Sequence, residues 1–394
     1  MRQQLLFRRI FATFSFLAVS TLSWAWDFWV DGIYYSKSGS NTAQVAAATN
    51  PSYSGRVTIP SKVTYLEQDY LVIGIAADAF KDCSGLTSVT LPNSLISIGN
   101  YAFSGCRGLT SVTIPDGVRS IGDYAFYKCS GLTSITIPDG VKTIGKRVFY
   151  ECSSLTSVTL PEFITIINDA LFCGCSNLQS VTIPENVTTI GPWAFDGCSS
   201  LQSITIPANV KTIGQCAFDE CSSLTSITIP EGVEVIYSST FKRCSQLTTV
   251  NLPNSLKKIE IYAFLGCSSL RTITLPKGVE TIGEKAFWDC YKLVTVYVKS
   301  LTPPSLWSSY LVFYTKPDVY VPKKALSAYQ SSKWRDACDE MRTCKEATTL
   351  CFPKDVYRYT YAWASYDEIY SSYPIKEDIY ADVVSESLVS TNIR

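Results

Sequence analysis

Apolar and polar residues recur along most of this chain at a fixed interval of 23 residues. Apolar side chains alternate with Ser and Thr early in each unit, and an Ala-Phe pair and a Cys follow later. Units this short can bury their apolar side chains only against their neighbours, so the interval predicts a solenoid. One unit reads Leu86, Val89, Leu91 and Pro92, then Ile98 and Gly99, then Ala102, Phe103 and Cys106.

Three residue types, Phe, Cys and Leu, keep this interval over ten units without a break, the leucines from Leu86 to Leu293. The phenylalanines are Phe80, Phe103, Phe126, Phe149, Phe172, Phe195, Phe218, Phe241, Phe264 and Phe287. The cysteines are Cys83, Cys106, Cys129, Cys152, Cys175, Cys198, Cys221, Cys244, Cys267 and Cys290. Composition alone does not produce such phasing, so each type is expected to form an internal column, one residue per coil.

The elements of one coil follow from its local pattern. The segment from Ser88 to Leu91 alternates polar and apolar residues, which predicts a half-buried strand. Pro92 lacks an N–H group and ends that strand. A second extended piece runs to Ile98, and the stretch 100–105 is long enough for one or two helical turns. The pattern therefore predicts an α/β solenoid.

The pattern LTSVTIP…V…IG…AF…C resembles the BspA-like class of leucine-rich repeats over about residues 75–298. The flanks, with Gly55-Arg-Val-Thr-Ile-Pro before the repeats and Thr302-Pro-Pro304 after them, are similar to the caps of that family. The resemblance implies an α/β, right-handed leucine-rich-repeat solenoid with parallel strands, short helical turns and terminal hairpin caps. It also implies surface binding, since known members act as adhesins, but it supplies no invariant ligand residues.

Five segments are predicted along the chain. The first carries Arg2, Arg8 and Arg9 and then an apolar run of 13 residues, shorter than the roughly 20 that a membrane span needs. A signal peptide is favoured there over a signal anchor, and no membrane span is expected after its cleavage. The segments are a signal peptide (1–25), an N-terminal β cap (26–74), a solenoid of about ten 23-residue coils (75–299), a C-terminal cap (300–341) and an unassigned Tyr-rich tail (342–394).

The charge and composition of the chain mainly exclude classes of partner and of chemistry. The chain has 34 basic and 34 acidic residues, which removes the electrostatic argument for a nucleic-acid partner. It has no histidine, which excludes Ser-His-Asp and Cys-His catalysis and imidazole-ligated metal sites. No cofactor is therefore expected.

The fifteen cysteines are candidates for chemistry. In an exported protein they could form disulfides, but equivalent side chains of stacked coils run parallel, which favours a ladder of buried reduced thiols. A local bridge among Cys338, Cys344 and Cys351 remains an alternative.

Two repetitive surfaces are further candidates. The exposed Ser-x-Thr pairs, such as Ser134 and Thr136, could order water as in ice-binding solenoids, but ordinary strand surface is favoured. The acidic residues after the prolines could bind Ca²⁺ or act as a glycosidase pair, but ordinary turn chemistry is favoured. These residues are Asp116, Asp139, Glu162, Glu185 and Glu231.

Large aromatic and basic side chains lie instead two residues before each core phenylalanine and just after it. Trp, Tyr and Arg dominate the energetics of protein interfaces, so this ridge is the predicted partner-binding site. Packing between neighbouring coils is the alternative. The predicted site residues are Tyr101, Tyr124, Tyr127, Arg147, Tyr150 and Trp193.

We therefore expect a secreted or cell-surface, noncatalytic adhesin. Its predicted partner is a protein of the host matrix or of another cell surface, with a glycan as a second option. The alternatives are a carbohydrate-active or calcium-dependent enzyme that uses carboxylates, and a passive structural spacer.

Overall fold

The computed structural model describes residues 26–48 and 53–344. The predicted signal peptide and the tail from residue 345 onward, with the Tyr-rich stretch 357–363, lie outside the described residues. The strands are β1 (Phe28–Val30), β2 (Ile33–Lys37), β3 (Thr42–Val45), β4 (Gly55–Thr58), β5 (Lys62–Tyr65), β6 (Gln68–Ile75), β7 (Leu86–Thr90), β8 (Ser97–Ile98), β9 (Ser111–Val112), β10 (Ser120–Ile121), β11 (Ser134–Thr136), β12 (Thr143–Ile144), β13 (Ser157–Thr159), β14 (Ile166–Ile167), β15 (Ser180–Val181), β16 (Thr189–Ile190), β17 (Thr212–Ile213), β18 (Ser226–Thr228), β19 (Val235–Ile236), β20 (Thr249–Asn251), β21 (Lys258–Ile259), β22 (Thr272–Leu275), β23 (Thr281–Ile282), β24 (Thr295–Val298), β25 (Ser305–Leu306), β26 (Asp318–Pro322) and β27 (Met341–Cys344).

The repeats form a parallel-strand β-solenoid of about 12 turns with very little helix. Most coils contribute two short strands, one to each of two ladders. In the first ladder Ser134 of β11 pairs with Ser111 on one side and Ser157 on the other. In the second, Ser120 of β10 pairs with Ser97 and Thr143. Equivalent residues therefore lie directly above one another, as the 23-residue interval requires.

The N-terminal strands close the start of the stack. β1 and β2 form an antiparallel hairpin, β3 pairs with β2, and β6 joins this sheet to the solenoid through β8. β5 folds back antiparallel on β6. The side chain of Tyr53 packs on Phe80 with ring centroids 4.7 Å apart, which covers the first core ring.

The predicted helical turns do not form in the solenoid, and the α/β class is not confirmed. The described helices lie in the C-terminal part: a 3-10 turn (Lys323–Ala325), α1 (Leu326–Gln330) and α2 (Trp334–Ala337). In each coil the residue two before the core phenylalanine has a positive φ, 55° at Tyr101, which a right-handed helix cannot contain. The Phe103 N–H then donates to the Ala125 carbonyl of the next coil at 2.7 Å.

The core is a column of phenylalanine rings. All ten are fully buried, and consecutive rings from Phe80 to Phe287 lie between 5.0 and 5.8 Å apart in nearly parallel planes. Phe313 extends the column in the C-terminal cap, and Trp334 closes it at 6.0 Å. The predicted cysteine ladder lies beside this column as buried free thiols, and Cys338 is also a buried free thiol. No helix among residues 26–48 and 53–344 is both long and apolar enough to span a bilayer.

Candidate functional site

Two positions in every coil have left-handed backbone, and this conformation sets the direction in which the side chains at these positions leave the turn. One lies two residues before the core phenylalanine and the other two residues after it. The first set has φ between 51° and 61° and comprises Asp78, Tyr101, Tyr124, Arg147, Ala170, Trp193, Cys216, Ser239, Tyr262 and Lys285. None of these is β-branched, which agrees with the crowding that β-branched side chains meet at positive φ. The predicted ridge therefore has a repeated backbone conformation.

Five of the six predicted site residues form one cluster, named here the tyrosine–arginine cluster: Tyr101, Tyr124, Tyr127, Arg147 and Tyr150. The rings of Tyr101 and Tyr124 stack at 4.5 Å, and those of Tyr127 and Tyr150 stack at 5.1 Å. Tyr124 meets Tyr127 edge to face at 5.6 Å, which joins the two stacks. These residues therefore pack on one another and remain at the surface, and partner binding by them stays a prediction.

Cations cover the ring faces of the cluster. The Lys81 ammonium lies 5.2 Å from the centroid of Tyr101, and the Arg147 guanidinium lies 5.5 Å from that of Tyr124. The Arg147 Nη1 also donates a hydrogen bond to the Tyr124 hydroxyl. Such contacts contribute about 0.5–1 kcal/mol at exposed sites. The cluster is therefore held in place before any partner arrives.

The cations differ in their acidic partners. Lys81 pairs with Asp78 at 3.1 Å and Lys128 pairs with Glu151 at 3.6 Å. Arg147 has no carboxylate within ion-pair distance among the described residues, although its side chain is exposed. Burial first, and the neighbouring Cys173 second, raise the pKa of the Tyr150 hydroxyl. The cluster therefore exposes phenol hydroxyls and one guanidinium that has no acidic partner among the described residues.

Trp193 does not join this cluster. It has the same left-handed backbone, but Ala170 occupies the intervening coil and separates it from Arg147. The Trp193 side chain is 37% exposed. The expected continuous ridge is therefore interrupted, and it ends at Arg147 and Tyr150.

The Ser-x-Thr face contrasts with the cluster. The exposed hydroxyls of Ser134 and Thr136 make no hydrogen bonds to other described residues, whereas that of Thr228 accepts one from the Asn251 side-chain amide at 3.0 Å. The neighbouring Thr133 instead donates to the Thr110 carbonyl at 3.3 Å. The face is uniform and bears neither large anchors nor charge over its central coils.

The acidic turn residues act locally. The Asp139 carboxylate accepts a hydrogen bond from the Glu162 N–H at 3.1 Å, and that of Glu231 accepts one from the Asn254 N–H at 3.0 Å. The hydrogen bond from the Asn254 N–H is the main cause that lowers the pKa of the Glu231 carboxyl. Among the described residues no group of three acidic or cysteine side chains is arranged to hold a metal ion. These carboxylates stabilise the turns between coils.

Sequence reasoning missed a second cluster, centred on Asp196 and Asp219. These residues follow Phe195 and Phe218 directly, in the column that also holds Tyr127, Tyr150 and Cys173. The Asp219 carboxylate pairs with Lys242 at 2.9 Å. The sequence did contain a signal for this cluster. Asp196 and Asp219 are one repeat apart, at a position that holds an aromatic or basic residue in several other coils.

This chain is similar to several solved structures. A leucine-rich repeat protein from Bacteroides ovatus is 28% identical and covers 81% of this chain and 100% of its own, with a TM-score of 0.49. A leucine-rich cell surface protein from Faecalibacterium prausnitzii is 27% identical and covers 80% of this chain and 94% of its own, with a TM-score of 0.50. The pneumococcal vaccine antigen PcpA is 20% identical, covers 79% and 96%, and has a TM-score of 0.52.

Comparison with curated proteins gave no match. The family model of the BspA type leucine-rich repeat region matches residues 73–202 and 194–303, with six copies. These segments cover more than half of the chain and coincide with the coils whose strands, turns and phenylalanine column are described above. The chain therefore belongs to the BspA-type leucine-rich repeat family.

Proposed function

We propose that this chain is an exported, noncatalytic adhesin that holds a protein partner on the tyrosine–arginine cluster. The observation that carries the proposal is the preassembled cluster itself, in which Arg147 is exposed, lies over the Tyr124 ring and has no carboxylate of the described residues within ion-pair distance. Interface hot spots are enriched in Tyr, Trp and Arg, and rigid side chains lose little conformational entropy on binding. The cell-surface description of the Faecalibacterium relative supports a surface location.

The geometry favours a protein over a glycan. Sugars stack on free aromatic faces, whereas the faces of Tyr101 and Tyr124 are turned toward each other and toward Lys81 and Arg147. What remains accessible is ring edges, hydroxyl groups and the guanidinium. These groups suit the mixed polar and apolar surface of a folded protein, and a partner carboxylate could pair with Arg147 in a bidentate manner.

Binding to a panel of immobilised, purified extracellular-matrix and cell-surface proteins tests the proposal. The cluster variant carries Tyr124→Asn and Arg147→Asn, because Asn tolerates positive φ and leaves the backbone unperturbed. We expect at least a tenfold weaker affinity for the bound protein, about 1.4 kcal/mol, in a solenoid that stays folded and loses only the stability of the cation–ring contact, about 0.5–1 kcal/mol.

Two controls separate the site from its alternatives. Trp193→Asn changes an exposed aromatic residue with the same backbone conformation outside the cluster, and we expect it to bind as the unchanged protein does. Ser134→Lys with Thr136→Lys alters the strand face. Loss of binding in that strand variant, together with normal binding in the cluster variant, would place the site on the Ser-x-Thr face. Turnover of a carbohydrate substrate would favour the enzyme alternative.

A further inference from the structure

Both strand ladders are interrupted around one coil of the solenoid. In the first ladder β15 pairs with β13 and β18 pairs with β20, while the stretch 203–205 between them forms no strand. In the second ladder β17 pairs only with β16, and the next strand, β19, pairs only with β21. Elsewhere among the described coils, a break in one ladder is bridged by the other. Strand pairing therefore joins the coil that contains residues 201–215 to its neighbours less completely than it joins the other coils.

The opposite side of this coil remains continuous. The Phe195 N–H donates to the Ala217 carbonyl at 2.8 Å, and the Phe218 N–H donates to the Thr240 carbonyl at 2.9 Å. The three rings of Phe195, Phe218 and Phe241 stack at 5.3 and 5.5 Å. The coils are therefore held together at this level mainly by the turns and the phenylalanine column.

Two carboxylates lie on that continuous side, on consecutive coils. The Asp219 side chain is about nine-tenths buried, and its Oδ2 lies 2.9 Å from the Lys242 ammonium. Its Oδ1 is buried and has no hydrogen-bond partner. Asp196 has its Oδ2 3.5 Å from the Cys173 Sγ, and no cation lies within ion-pair distance of it among the described residues. Lys242 therefore pairs with Asp219 and leaves Asp196 without an ion pair among the described residues.

Asp196 faces titratable groups from three other coils. Cys173 lies on the coil before it, the acids of the next coil oppose its ionisation, and Lys242 of the coil after that favours it. Buried ladder thiols lie behind it, and they stay protonated because burial raises their pKa well above the ordinary value. The groups around Asp196 are Cys173, Cys198, Cys216, Asp219, Glu220, Cys221 and Lys242.

We propose that the coils from Cys173 to Lys242 form an acid-tightened joint, in which protonation of Asp196 removes its repulsion with Asp219 and strengthens the contact between coils. The physical cause is the placement of one buried acid, Asp219, and one partly buried acid, Asp196, near one cation where the strand ladders are interrupted. The joint adjoins the tyrosine–arginine cluster, since Cys173 lies beside Tyr150, but the proposal does not rest on partner binding at that cluster.

The direction of the pH dependence follows from the protonation equilibrium. Burial first, and the Asp219 charge second, raise the pKa of Asp196 to about 6. Burial also raises the pKa of Asp219, against the opposing effect of Lys242. A carboxyl with a raised folded-state pKa contributes stability that is present below its unfolded pKa and is lost as the pH rises through its folded pKa. The joint is therefore tighter in mild acid than at neutral pH.

Thermal unfolding of the full chain at about pH 7.5 and about pH 5 tests the proposal. We expect the unchanged protein to gain about 2–4 °C on acidification relative to Asp196→Asn, whose side chain is isosteric and does not titrate. The control Asp116→Asn removes an exposed acid of a turn and is expected to follow the unchanged protein. Asp219→Asn removes the repelling charge and is expected to reduce the gain.

Hydrogen exchange locates the effect. After correction for the intrinsic pH dependence of exchange, backbone amides around residues 196–220 should gain protection in acid, and those near residues 100–130 should not. Equal pH shifts for Asp196→Asn and the unchanged protein would overturn the proposal. It would also be overturned by a gain in protection spread evenly along the solenoid.

Discussion

The thiol of Cys198 donates a hydrogen bond to the backbone carbonyl of Phe172, 3.3 Å away on the preceding coil. The same carbonyl accepts a second hydrogen bond from the Cys175 N–H at 3.0 Å, so both of its lone pairs are used. The contact recurs at nine ladder cysteines, from Cys106 to Cys290. Cysteine at this position fills space, as a small apolar residue would, and also links consecutive coils.

Alkylation should distinguish the ladder from the other cysteines. The thiolate is the reactive form, and burial raises the pKa of Cys198 well above its ordinary range, so native protein should resist labelling from Cys106 to Cys267. Denatured, unreduced protein should react fully at these positions. Cys216 is only half-buried and is expected to be labelled first among the cysteines from Cys83 to Cys338. Peptide mapping checks this, and disulfides between successive ladder cysteines would contradict it.

Replacement of Phe195 by Ala should make the solenoid unfold in two transitions instead of one. Its ring stacks at 5.4 Å on Phe172 and at 5.3 Å on Phe218, so the change removes contacts to both neighbouring coils. A buried Phe→Ala change typically costs about 3–5 kcal/mol. Because each coil contacts mainly its neighbours, calorimetry should show two transitions. A single transition with an unchanged midpoint would contradict the role of the column.

The sequence predicts the stacked columns well because each of them depends on burial, and burial constrains residue type. Phe195, Cys198 and Leu201 recur in phase, and the structure buries all three completely. The helical turns were wrong for a local reason. Six residues around Ala102 and Phe103 are compatible with a helix by composition, but their N–H groups alternate between turn hydrogen bonds and the next coil.

The candidate site was predictable only in part. Positions two before and two after each core phenylalanine contain no β-branched residue, and Gly105, Gly174, Gly197 and Gly266 occupy the second set. This pattern indicates positive φ and could have placed the ridge on turns. The periodicity does not predict that Trp193 is separated from the tyrosine–arginine cluster, because contact across Ala170 depends on how far the side chains reach. The acidic joint depends on burial depth, which the sequence pattern does not encode.

The left-handed positions give a test of backbone strain. Asp289 has φ of 58°, in a column where four coils have Gly. Asp289→Gly should therefore be more stable than Asp289→Ala by about 1 kcal/mol, because Ala retains the Cβ that crowds the backbone at positive φ. Urea unfolding measures the difference.

Asp116 provides the matched control for this comparison. Its backbone is not left-handed, so Asp116→Gly should be no more stable than Asp116→Ala. If Ala and Gly were equivalent at Asp289, positive φ would carry no measurable cost in this fold.

The contact between Tyr124 and Arg147 gives the final prediction, which concerns the rigidity of the proposed site. The guanidinium both covers the Tyr124 ring at 5.5 Å and donates to its hydroxyl, so the two side chains should stabilise each other. A double-mutant cycle with Tyr124→Ser and Arg147→Met should give a coupling free energy of about 0.5–1 kcal/mol in urea unfolding. Tyr124→Phe keeps the ring and should retain part of this coupling. Arg147→Lys keeps the charge but loses the planar fork, so it should also retain only a part. Strict additivity in the full cycle would show that the side chains are independent in solution, and the cluster would then have to be ordered by its partner at a cost in affinity.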